Sequence, residues 1–564
     1  MQFLDWLVIG LFFIALIGII VWVMRQKQNN AADYFLGGKD ATWIAIGASI
    51  FASNIGSEHL IGLAGSGASS GMAMAHWEIQ GWMILILGWV FVPFYTRSMV
   101  YTMPEFLEKR FNPQSRTILA TISLISYVLT KVAVTVYAGG LVFQQVFGID
   151  ELWGIDFFWI AAIGLVLITA LYTIFGGMKS VLYTSVLQTP ILLLGSLIIL
   201  VLGLKELGGW DEMMRICSSV KVNEYGDTMV NLIRDNRDAQ YPWLGALIGS
   251  AVIGFWYWCT DQFIVQRVLS GKDEKEARRG TIFGAYLKLL PVFLFLIPGM
   301  IAFALHQNLG DFLPMLPNGN PNSDAAFPTL VAKLLPAGVK GLIVCGILAA
   351  LMSSLASLFN SSAALFTIDF YQRLKPNTDP KKLVRIGQAA TVVIVILGIL
   401  WIPVMRSVGD VLYLYLQDVQ SVLAPGIAAA FLIGILWKRA STLGGMWALL
   451  SGLIIGLTRL GAKIYYTGQG IVAGANPDAG LFQRIFFDEN WLFFCGWMLV
   501  FCLAVGVVVS LCTKAPSPEK IKGLVFGTST AEQRAATRAS WGTWDIVHTV
   551  IILVITAAFY WYFW

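Results

Sequence analysis

The chain has 564 residues, of which 57% are hydrophobic and 13% are charged, about half the charged share of a soluble protein. So little charge cannot cover the surface of a soluble protein of this length, and the composition also excludes disordered, coiled-coil and collagen-like classes. The net charge of +5 comes with no basic face or nucleic-acid-binding motif, so we expect no nucleic-acid partner.

Apolar stretches of membrane-spanning length recur along the whole chain. A helix needs about 20 mostly apolar residues to cross a bilayer. Fourteen segments qualify and are numbered spans 1 to 14, in order 3–24, 43–66, 76–96, 118–147, 156–176, 181–204, 242–266, 281–305, 339–371, 386–405, 410–436, 442–462, 489–512 and 542–563. The sequence therefore predicts an all-α integral membrane protein with about 14 transmembrane helices in one domain, 1–564.

The distribution of Lys and Arg predicts the orientation of the chain in the membrane. Span 1 ends at Arg25 and lacks a small-residue cleavage site, so we expect it to be retained. The loops that follow odd-numbered spans hold 25 basic residues, and the loops on the other side hold 11. Basic loops face the cytoplasm, so both termini are expected outside. The one N-x-S/T glycosylation acceptor, Asn360, lies within span 9, so none lies in an outside loop. We therefore expect a multi-pass plasma membrane protein, located in the inner membrane of a bacterium.

Spans 2 and 7 carry glycine and polar residues through their middles. Span 2 contains IGASIFASNIGSEHLIGLAGSG, and span 7 contains LGALIGSAVIGFWYWCTDQFIVQR. Interrupted helices at matching positions of two inverted repeats are typical of secondary transporters. The five-span separation predicts one repeat over 43–204 and a second over 242–436, with peripheral helices in 1–25 and 442–564. The alternative is that these glycines only allow close helix packing.

Polar side chains inside the bilayer are costly and usually line a pathway or form a pair. They include His59 on span 2, Glu78 on span 3, Lys288 on span 8 and Gln417 on span 11. Together they offer donors and acceptors, which suits a neutral polyol better than an anion or a quaternary amine. The aromatic residues near them could stack on a sugar or serve packing alone; they are Trp77, Trp256, Tyr257, Trp258 and Tyr413.

Span 9 contains a cluster of hydroxyl side chains. Ser353 and Ser354 lie one turn from Ser357. Serines in a membrane helix most often bond their own backbone or a neighbouring helix. Beside a broken helix with free carbonyl groups, the same hydroxyls would suit a small hard cation.

Several stretches of the chain match one transporter family in order. They are DYFLGGK at 33–39, FASNIGSEHLIGLAGSGA at 51–68, TMPEFLEKRF at 102–111, IFGGMKSVLYT at 174–184, WYWCTDQFIVQR at 256–267, YLKLLP at 286–291, LMSSLASLFNS at 351–361 and PGIAAAFLIGILWKR at 425–439. The sequence resembles the sodium/solute symporter family, most closely its sodium/glucose cotransporter branch, for which WYWCTDQ is particularly typical.

The resemblance implies a LeuT-type fold with inverted five-helix repeats and with substrate and Na⁺ bound at the midplane. The implied sugar contacts are Asn54, His59, Glu78, Tyr257, Trp258, Lys288 and Gln417. The implied Na⁺ ligands are the carbonyls of Ala52, Ile55 and Ala350 and the hydroxyls of Ser353 and Ser354. The implied outer gate consists of Leu63, Trp77 and Tyr413, and Tyr257 closes the inner side.

Three positions depart from the family pattern. Members of the family that are proposed to hold a second sodium have an Asp at the position of Ser185 and a hydroxyl residue at the position of Ala356. Gly254 stands where relatives carry Asn or Thr near the sugar. We therefore expect one Na⁺ per substrate and the loss of one hydroxyl contact to the sugar.

These features predict a Na⁺-coupled symporter that imports a hexose-type sugar by alternating access. The alternatives are a symporter for inositol or for a monocarboxylate, and a sugar sensor or ion-leak protein on the same scaffold. No metal-ligand cluster or nucleophile–base motif suggests an enzyme. The expected partners are the substrate, Na⁺ and the lipid bilayer, and the oligomeric state stays open.

Overall fold

A computed structural model of the chain describes residues 1–26, 29–56, 58–316, 319–336, 338–406, 412–474, 476 and 478–564, with the side chains of 129, 130, 138, 141, 145, 404–406 and 412–416 excepted. Within this part of the chain, eleven helices are long and apolar enough to cross a membrane. They are Phe3–Met24, Glu58–Ser98, Phe157–Leu207, Trp243–Thr260, Glu274–Leu309, Val339–Leu374, Pro380–Pro403, Gln417–Leu436, Thr442–Gly468, Trp491–Cys512 and Thr543–Tyr562. Apolar runs of this length form helices because a helix satisfies every backbone polar group internally.

Fourteen predicted spans and eleven long helices describe the same segments. Glu58–Ser98 contains the second half of span 2 and all of span 3, and Phe157–Leu207 contains spans 5 and 6. The shorter apolar helices Trp43–Asn54 and Ala133–Gln144 supply the rest of spans 2 and 4. Every predicted span is therefore mainly helical over its described residues, which confirms the prediction of an all-α membrane fold.

Spans 5 and 6 meet at a bend without an intervening loop. Gly177 has φ 55° and ψ −149° inside the continuous run Phe157–Leu207. A Cβ atom at Gly177 would lie 2.5 Å from the carbonyl oxygen of Tyr34. Only glycine adopts this backbone conformation without strain and tolerates that approach, so a single residue separates the two spans.

Spans 2 and 7 are both interrupted. Helix Trp43–Asn54 ends at Ile55, which has extended backbone (φ −79°, ψ 110°), and helix resumes at Glu58. Helix Trp243–Thr260 ends at the extended Asp261 (φ −78°, ψ 129°). Helix ends leave backbone N–H and C=O groups without intrahelical partners. The two breaks therefore place free polar groups inside the bundle. The repeat boundaries 43–204 and 242–436 stay a prediction.

The remaining elements are short. Helices Pro113–Ser126 and Ala133–Phe147 belong to span 4, and Gln262–Leu269 follows the break in span 7. The helices that connect spans are Ala31–Phe35, Met103–Arg110, Trp210–Ser219, Ala326–Leu334, Leu481–Gln483, Pro518–Ile521 and Ala531–Ala539. Strands Glu151–Leu152 and Ile155–Asp156 pair antiparallel, with Glu151 opposite Asp156. Helix Trp210–Ser219 is amphipathic and buries Met213, Ile216 and Cys217.

Span 9 lies at the centre of the bundle, and spans 1 and 14 lie at its edge. The most apolar 18-residue window of Val339–Leu374 is 89% buried, against 22% for Phe3–Met24 and for Thr543–Tyr562. Span 1 is nevertheless tied to span 9, because Oδ1 of Asp5 accepts hydrogen bonds from the backbone N–H groups of Gly338 at 2.7 Å and Gly341 at 2.9 Å. A carboxylate at the start of a helix satisfies free N–H groups and favours the helix dipole.

Candidate functional site

A buried cavity lies between spans 2, 3, 7, 8 and 11, beside both helix breaks. Its lining comprises Asn54, Glu58, His59, Trp77, Glu78, Gln80, Ile253, Gly254, Tyr257, Trp258, Lys288, Gln417 and Gln420. All seven side chains predicted to contact the substrate are in this set. The open volume is only about 50 Å³, far below the roughly 300–1,000 Å³ of typical ligand pockets. The site is therefore contracted around its own side chains.

The polar centre of the cavity is a buried network of three ionisable groups. Oε2 of Glu78 lies 2.6 Å from Nζ of Lys288 and 3.3 Å from Nε2 of His59. Lys288 also donates a hydrogen bond to Oδ1 of Asn54 at 3.1 Å. Buried charges persist when they are paired and hydrogen-bonded. The network thus holds a carboxylate acceptor and an ammonium donor at one point in the membrane.

Three polar atoms of the cavity are buried without a hydrogen-bond partner among the described residues. They are Nδ1 of His59, Nε1 of Trp77 and Oε1 of Gln417. A buried polar group without a partner typically costs about 1–3 kcal/mol. A ligand with hydroxyl groups could satisfy these atoms, because a hydroxyl both donates and accepts.

Tyr257 lines the cavity and is held by contacts on both of its sides. Its hydroxyl accepts a hydrogen bond from Nδ2 of Asn54 at 3.2 Å, and its ring centroid lies 4.9 Å from that of Trp258. Nζ of Lys131 lies 4.7 Å from the centre of the Tyr257 ring and 2.8 Å from Oδ2 of Asp261, the residue at the break in span 7. The position of the ring is therefore set from both sides.

Of the three predicted outer-gate residues, Trp77 lines the cavity and Leu63 is buried in the core. Leu63 is fully buried. Trp77 is 4% exposed and stacks on Trp491, with ring centroids 5.5 Å apart and an interplanar angle of 22°. Tyr413, the third predicted gate residue, lies outside the side chains that the structure describes.

Sequence reasoning missed Gln80, Gln420 and the placement of Glu58 in this cavity. Nε2 of Gln80 donates to the carbonyl of Ser250 at 2.7 Å, and its Oε1 accepts from Nε1 of Trp258 at 3.2 Å. A Cβ at Gly254 would collide with the Gln80 amide, so the absent side chain at Gly254 gives Gln80 its place. The sequence signal that could have identified Gln80 is its position within an apolar span, two residues after Glu78.

The predicted Na⁺ ligands lie at the break in span 2, where it meets span 9. Oγ of Ser354 lies 3.0 Å from the carbonyl oxygen of Ile55 and 3.0 Å from that of Ser53. Oγ of Ser353 lies 3.3 Å from Oγ of Ser185. Ala52 and Ala350 are both buried. The structure thus brings Ser354 and Ile55 together and adds the Ser53 carbonyl, which sequence reasoning missed; the role of these atoms as Na⁺ ligands stays a prediction.

One three-residue segment connects the two predicted sites. Ser53 and Ile55 present their carbonyl groups to Ser354, while the Asn54 side chain between them contacts Lys288 and Tyr257. Oγ of Ser53 also lies 2.6 Å from Oγ of Ser357. The end of helix Trp43–Asn54 therefore contributes groups to both the predicted Na⁺ site and the predicted substrate site.

Comparison with known proteins gives a consistent result. The chain matches the sodium:solute symporter family over residues 34–452. It is 37% identical over 543 residues to human sodium/myo-inositol cotransporter 2, covering 93% of this chain and 79% of that protein. It is 36% identical over 550 residues to the human sodium/myo-inositol cotransporter, covering 93% and 75%. The substrate-bound, outward-open state of a Na⁺-coupled sialic acid symporter matches with a TM-score of 0.71 at 22% identity, over 92% of this chain and 99% of that one. The predicted LeuT-type fold is thereby confirmed.

Proposed function

Since this chain belongs to the sodium:solute symporter family, we propose that it uses the Na⁺ gradient to import a cyclic polyol of the inositol class. Na⁺-coupled solute symport is the activity of the family. The motifs alone favoured a hexose, with inositol as the alternative. The relatives that are 36–37% identical over 93% of the chain are named for myo-inositol, and this supports the alternative.

The chemistry of the cavity supports a neutral polyol. An inositol carries a hydroxyl on every ring carbon, so it needs donors and acceptors on all sides. Glu78 accepts, Lys288 donates, and the amides of Asn54 and Gln417 do both. The unpaired atoms of His59, Trp77 and Gln417 would gain partners on substrate binding.

Substrate entry requires the contracted site to exchange its internal bonds for bonds to hydroxyls. The bonds from Lys288 to Asn54 and from Asn54 to Tyr257 are 3.1 and 3.2 Å long, and each is worth only about 0.5–1.5 kcal/mol net, or more where a charge takes part. Hydroxyls of the substrate can replace both. The rings of Trp77 and Tyr257 would then cover the apolar faces of the polyol.

The segment Ser53–Ile55 carries the proposal for coupling. Na⁺ bound to the Ile55 carbonyl and the Ser354 hydroxyl would hold the broken end of span 2 against span 9. Asn54 lies between those contacts, so the same event would position its amide for the substrate. Coupling through a shared element is reciprocal, and each ligand should tighten the other by the same factor.

The available driving force is sufficient for accumulation. One charge moving through about 100 mV contributes about 2.3 kcal/mol. A tenfold Na⁺ gradient adds about 1.4 kcal/mol. One Na⁺ per neutral substrate would therefore support a substrate concentration inside that is roughly a few hundredfold above that outside.

Uptake into proteoliposomes tests this function. With an inward Na⁺ gradient and an inside-negative potential, we expect uphill uptake of myo-inositol, with glucose, galactose and lactate as weaker competitors. Preferential uptake of glucose over myo-inositol would instead indicate that the substrate is a hexose. Na⁺ currents or substrate binding without uphill uptake would instead indicate a leak or a sensor.

A matched pair of glutamine variants tests the site. Gln417→Ala should weaken substrate binding by about tenfold or more, because it removes a buried partner of the substrate. The control Gln388→Ala removes a glutamine of span 10 that bonds the carbonyl of Ile174 at 3.1 Å, and it should leave the apparent substrate affinity unchanged. Equal effects of the two variants would remove Gln417 from the site.

A further inference from the structure

A second cavity, of about 400 Å³, lies away from the substrate site, where spans 2, 8 and 14 begin. We name it the inner groove and define it by Trp43, Arg279, Phe283, Tyr286, Trp544 and His548. Each of the three helices starts from a loop that the Lys and Arg count places in the cytoplasm. The groove is therefore expected at the level of the inner membrane surface.

The groove faces the lipid side of the bundle. Trp544 is 72% exposed and Trp43 is 37% exposed. Helix Thr543–Tyr562 is mostly unburied within the chain, as shown by the exposed Val547, Val550 and Ile551 beside the groove. Aromatic residues with one apolar and one polar end concentrate at membrane–water interfaces. We therefore expect the groove to be surrounded by acyl chains and headgroups.

The walls of the groove are held by direct contacts. The hydroxyl of Tyr286 on span 8 lies 3.0 Å from Nδ1 of His548 on span 14. The rings of Trp43 and Phe283 meet edge to face, with centroids 5.4 Å apart. The backbone N–H of Trp43 donates to Oε2 of Glu276 at 2.6 Å. These contacts tie span 8 to span 14 on one side of the groove and to span 2 on the other.

Charge and apolarity are separated along the groove. Nε of Arg279 lies 3.1 Å from Oδ1 of Asp545, and the two terminal nitrogens of Arg279 have no partner among the described residues. Lys275 is exposed one turn earlier on the same helix face. Phe283 and Tyr286 follow one and two turns deeper in the membrane. The surface end of the groove thus carries the Arg279–Asp545 ion pair, with Lys275 one turn away, and the end within the bilayer is aromatic.

We propose that the inner groove binds one anionic phospholipid of the cytoplasmic leaflet, with its phosphate at Arg279 and an acyl chain against Phe283. Arg is well suited to phosphate because its planar guanidinium donates to two oxygens at once. The cytoplasmic leaflet carries anionic lipids that are attracted to basic residues at its surface. The lipid would brace span 8 against span 14, on the helix segment Glu274–Lys288 that also carries Lys288.

Retention of lipids by the purified full-length protein tests the proposal. The protein is exchanged into an equimolar mixture of phosphatidylglycerol, phosphatidylethanolamine and phosphatidylcholine, and bound lipids are counted by native mass spectrometry. The wild type should retain phosphatidylglycerol about fivefold over phosphatidylcholine. Arg279→Gln should abolish this preference, and Trp544→Ala should reduce the retention of all three lipids.

The control is Arg385→Gln, which removes an exposed arginine at the start of span 10, on the same predicted membrane face. It should keep the wild-type preference. Equal retention of all three lipids by the wild type, or an equal loss in Arg385→Gln, would overturn the proposal. Displacement of the lipid signal by inorganic phosphate would do so as well, because it would indicate a site for a free anion.

Photocrosslinking covers the case in which a variant does not fold. Wild-type protein labelled with a photoactivatable phosphatidylglycerol should carry the lipid on peptides from 274–288 and 543–562. Crosslinks confined to other helices would contradict the site. Crosslinks between two protein chains through Trp544 in place of lipid would assign the groove to a second copy of the chain and reject the lipid.

Discussion

Replacement of Ser354 with alanine should weaken Na⁺ binding and, through it, substrate binding. Oγ of Ser354 lies 3.0 Å from the carbonyls of Ser53 and Ile55, and the side chain is buried. The variant removes one of five predicted Na⁺ ligands and leaves a carbonyl at the break unpaired. The loss of such a buried partner costs about 1–3 kcal/mol, which corresponds to about 5- to 150-fold in the Na⁺ concentration for half-maximal uptake.

The coupling predicts how this loss passes to the substrate. At low Na⁺ concentration the substrate affinity of Ser354→Ala should fall, because fewer molecules carry Na⁺. At saturating Na⁺ it should return to the wild-type value, since Asn54, Glu78 and Lys288 are unchanged. Equilibrium binding of labelled substrate at low and at saturating Na⁺, together with uptake measured against Na⁺ concentration, gives both quantities.

Ser361→Ala is the matched control. Ser361 lies two turns further along the same helix, is equally buried, and donates to Oε1 of Gln266 at 2.8 Å, away from the segment Ser53–Ile55 and from the predicted Na⁺ ligands. Its Na⁺ dependence should stay close to that of the wild type. Equal shifts in the two variants, or a substrate defect in Ser354→Ala that persists at saturating Na⁺, would refute the coupling argument.

Three further outcomes follow from the site and its surroundings. Tyr257→Phe should largely preserve transport because the ring remains, whereas Tyr257→Ala should abolish it; equal loss of uptake in both variants would assign the role to the hydroxyl. Reversal potentials should give one Na⁺ per substrate, since Ser185 offers a hydroxyl where a carboxylate would offset the repulsion of a second cation; a ratio near two would contradict this. Burial raises the pKa of Asp324, in the loop between spans 8 and 9, to about 6, so its contribution to stability is greatest below pH 4 and is lost as the pH rises through 6. Asp324→Asn should therefore flatten the pH dependence of Tm and stabilise the protein at pH 8 by at most about 3 kcal/mol; an unchanged pH profile would count against a buried carboxyl.

The membrane helices and both helix breaks could be predicted because their signals are local. An apolar run of about 20 residues has few alternatives in a bilayer. Polar residues within such a run, as at Asn54 and Asp261, indicate that the regular helix is interrupted there. Both residues lie at an interruption in the structure.

The parts that the sequence did not predict depend on contacts between distant segments. The bend at Gly177 is required by the approach of Tyr34, which is more than a hundred residues away in the chain. The place of Gln80 in the cavity depends on the missing side chain of Gly254. Hydrophobic periodicity reports which residues are apolar and leaves the rotation of one helix against another undetermined. The same limit applies to the Ser53 carbonyl, whose orientation depends on where helix Trp43–Asn54 ends.

The bond between Asp5 and the start of span 9 has a consequence for biosynthesis. Asp5 leaves the ribosome before its partners Gly338 and Gly341, which are made more than 330 residues later. At about 5–20 residues per second, the delay is roughly 17–70 s. During that interval span 1 is in the membrane without its final neighbour, and the serine-bearing helix cannot be capped at its start until the first helix docks. Span 1 thus completes its native contacts only after the start of span 9 has been made, and a ribosome stalled before residue 341 should leave Asp5 accessible to chemical labelling, while one stalled well beyond it should not.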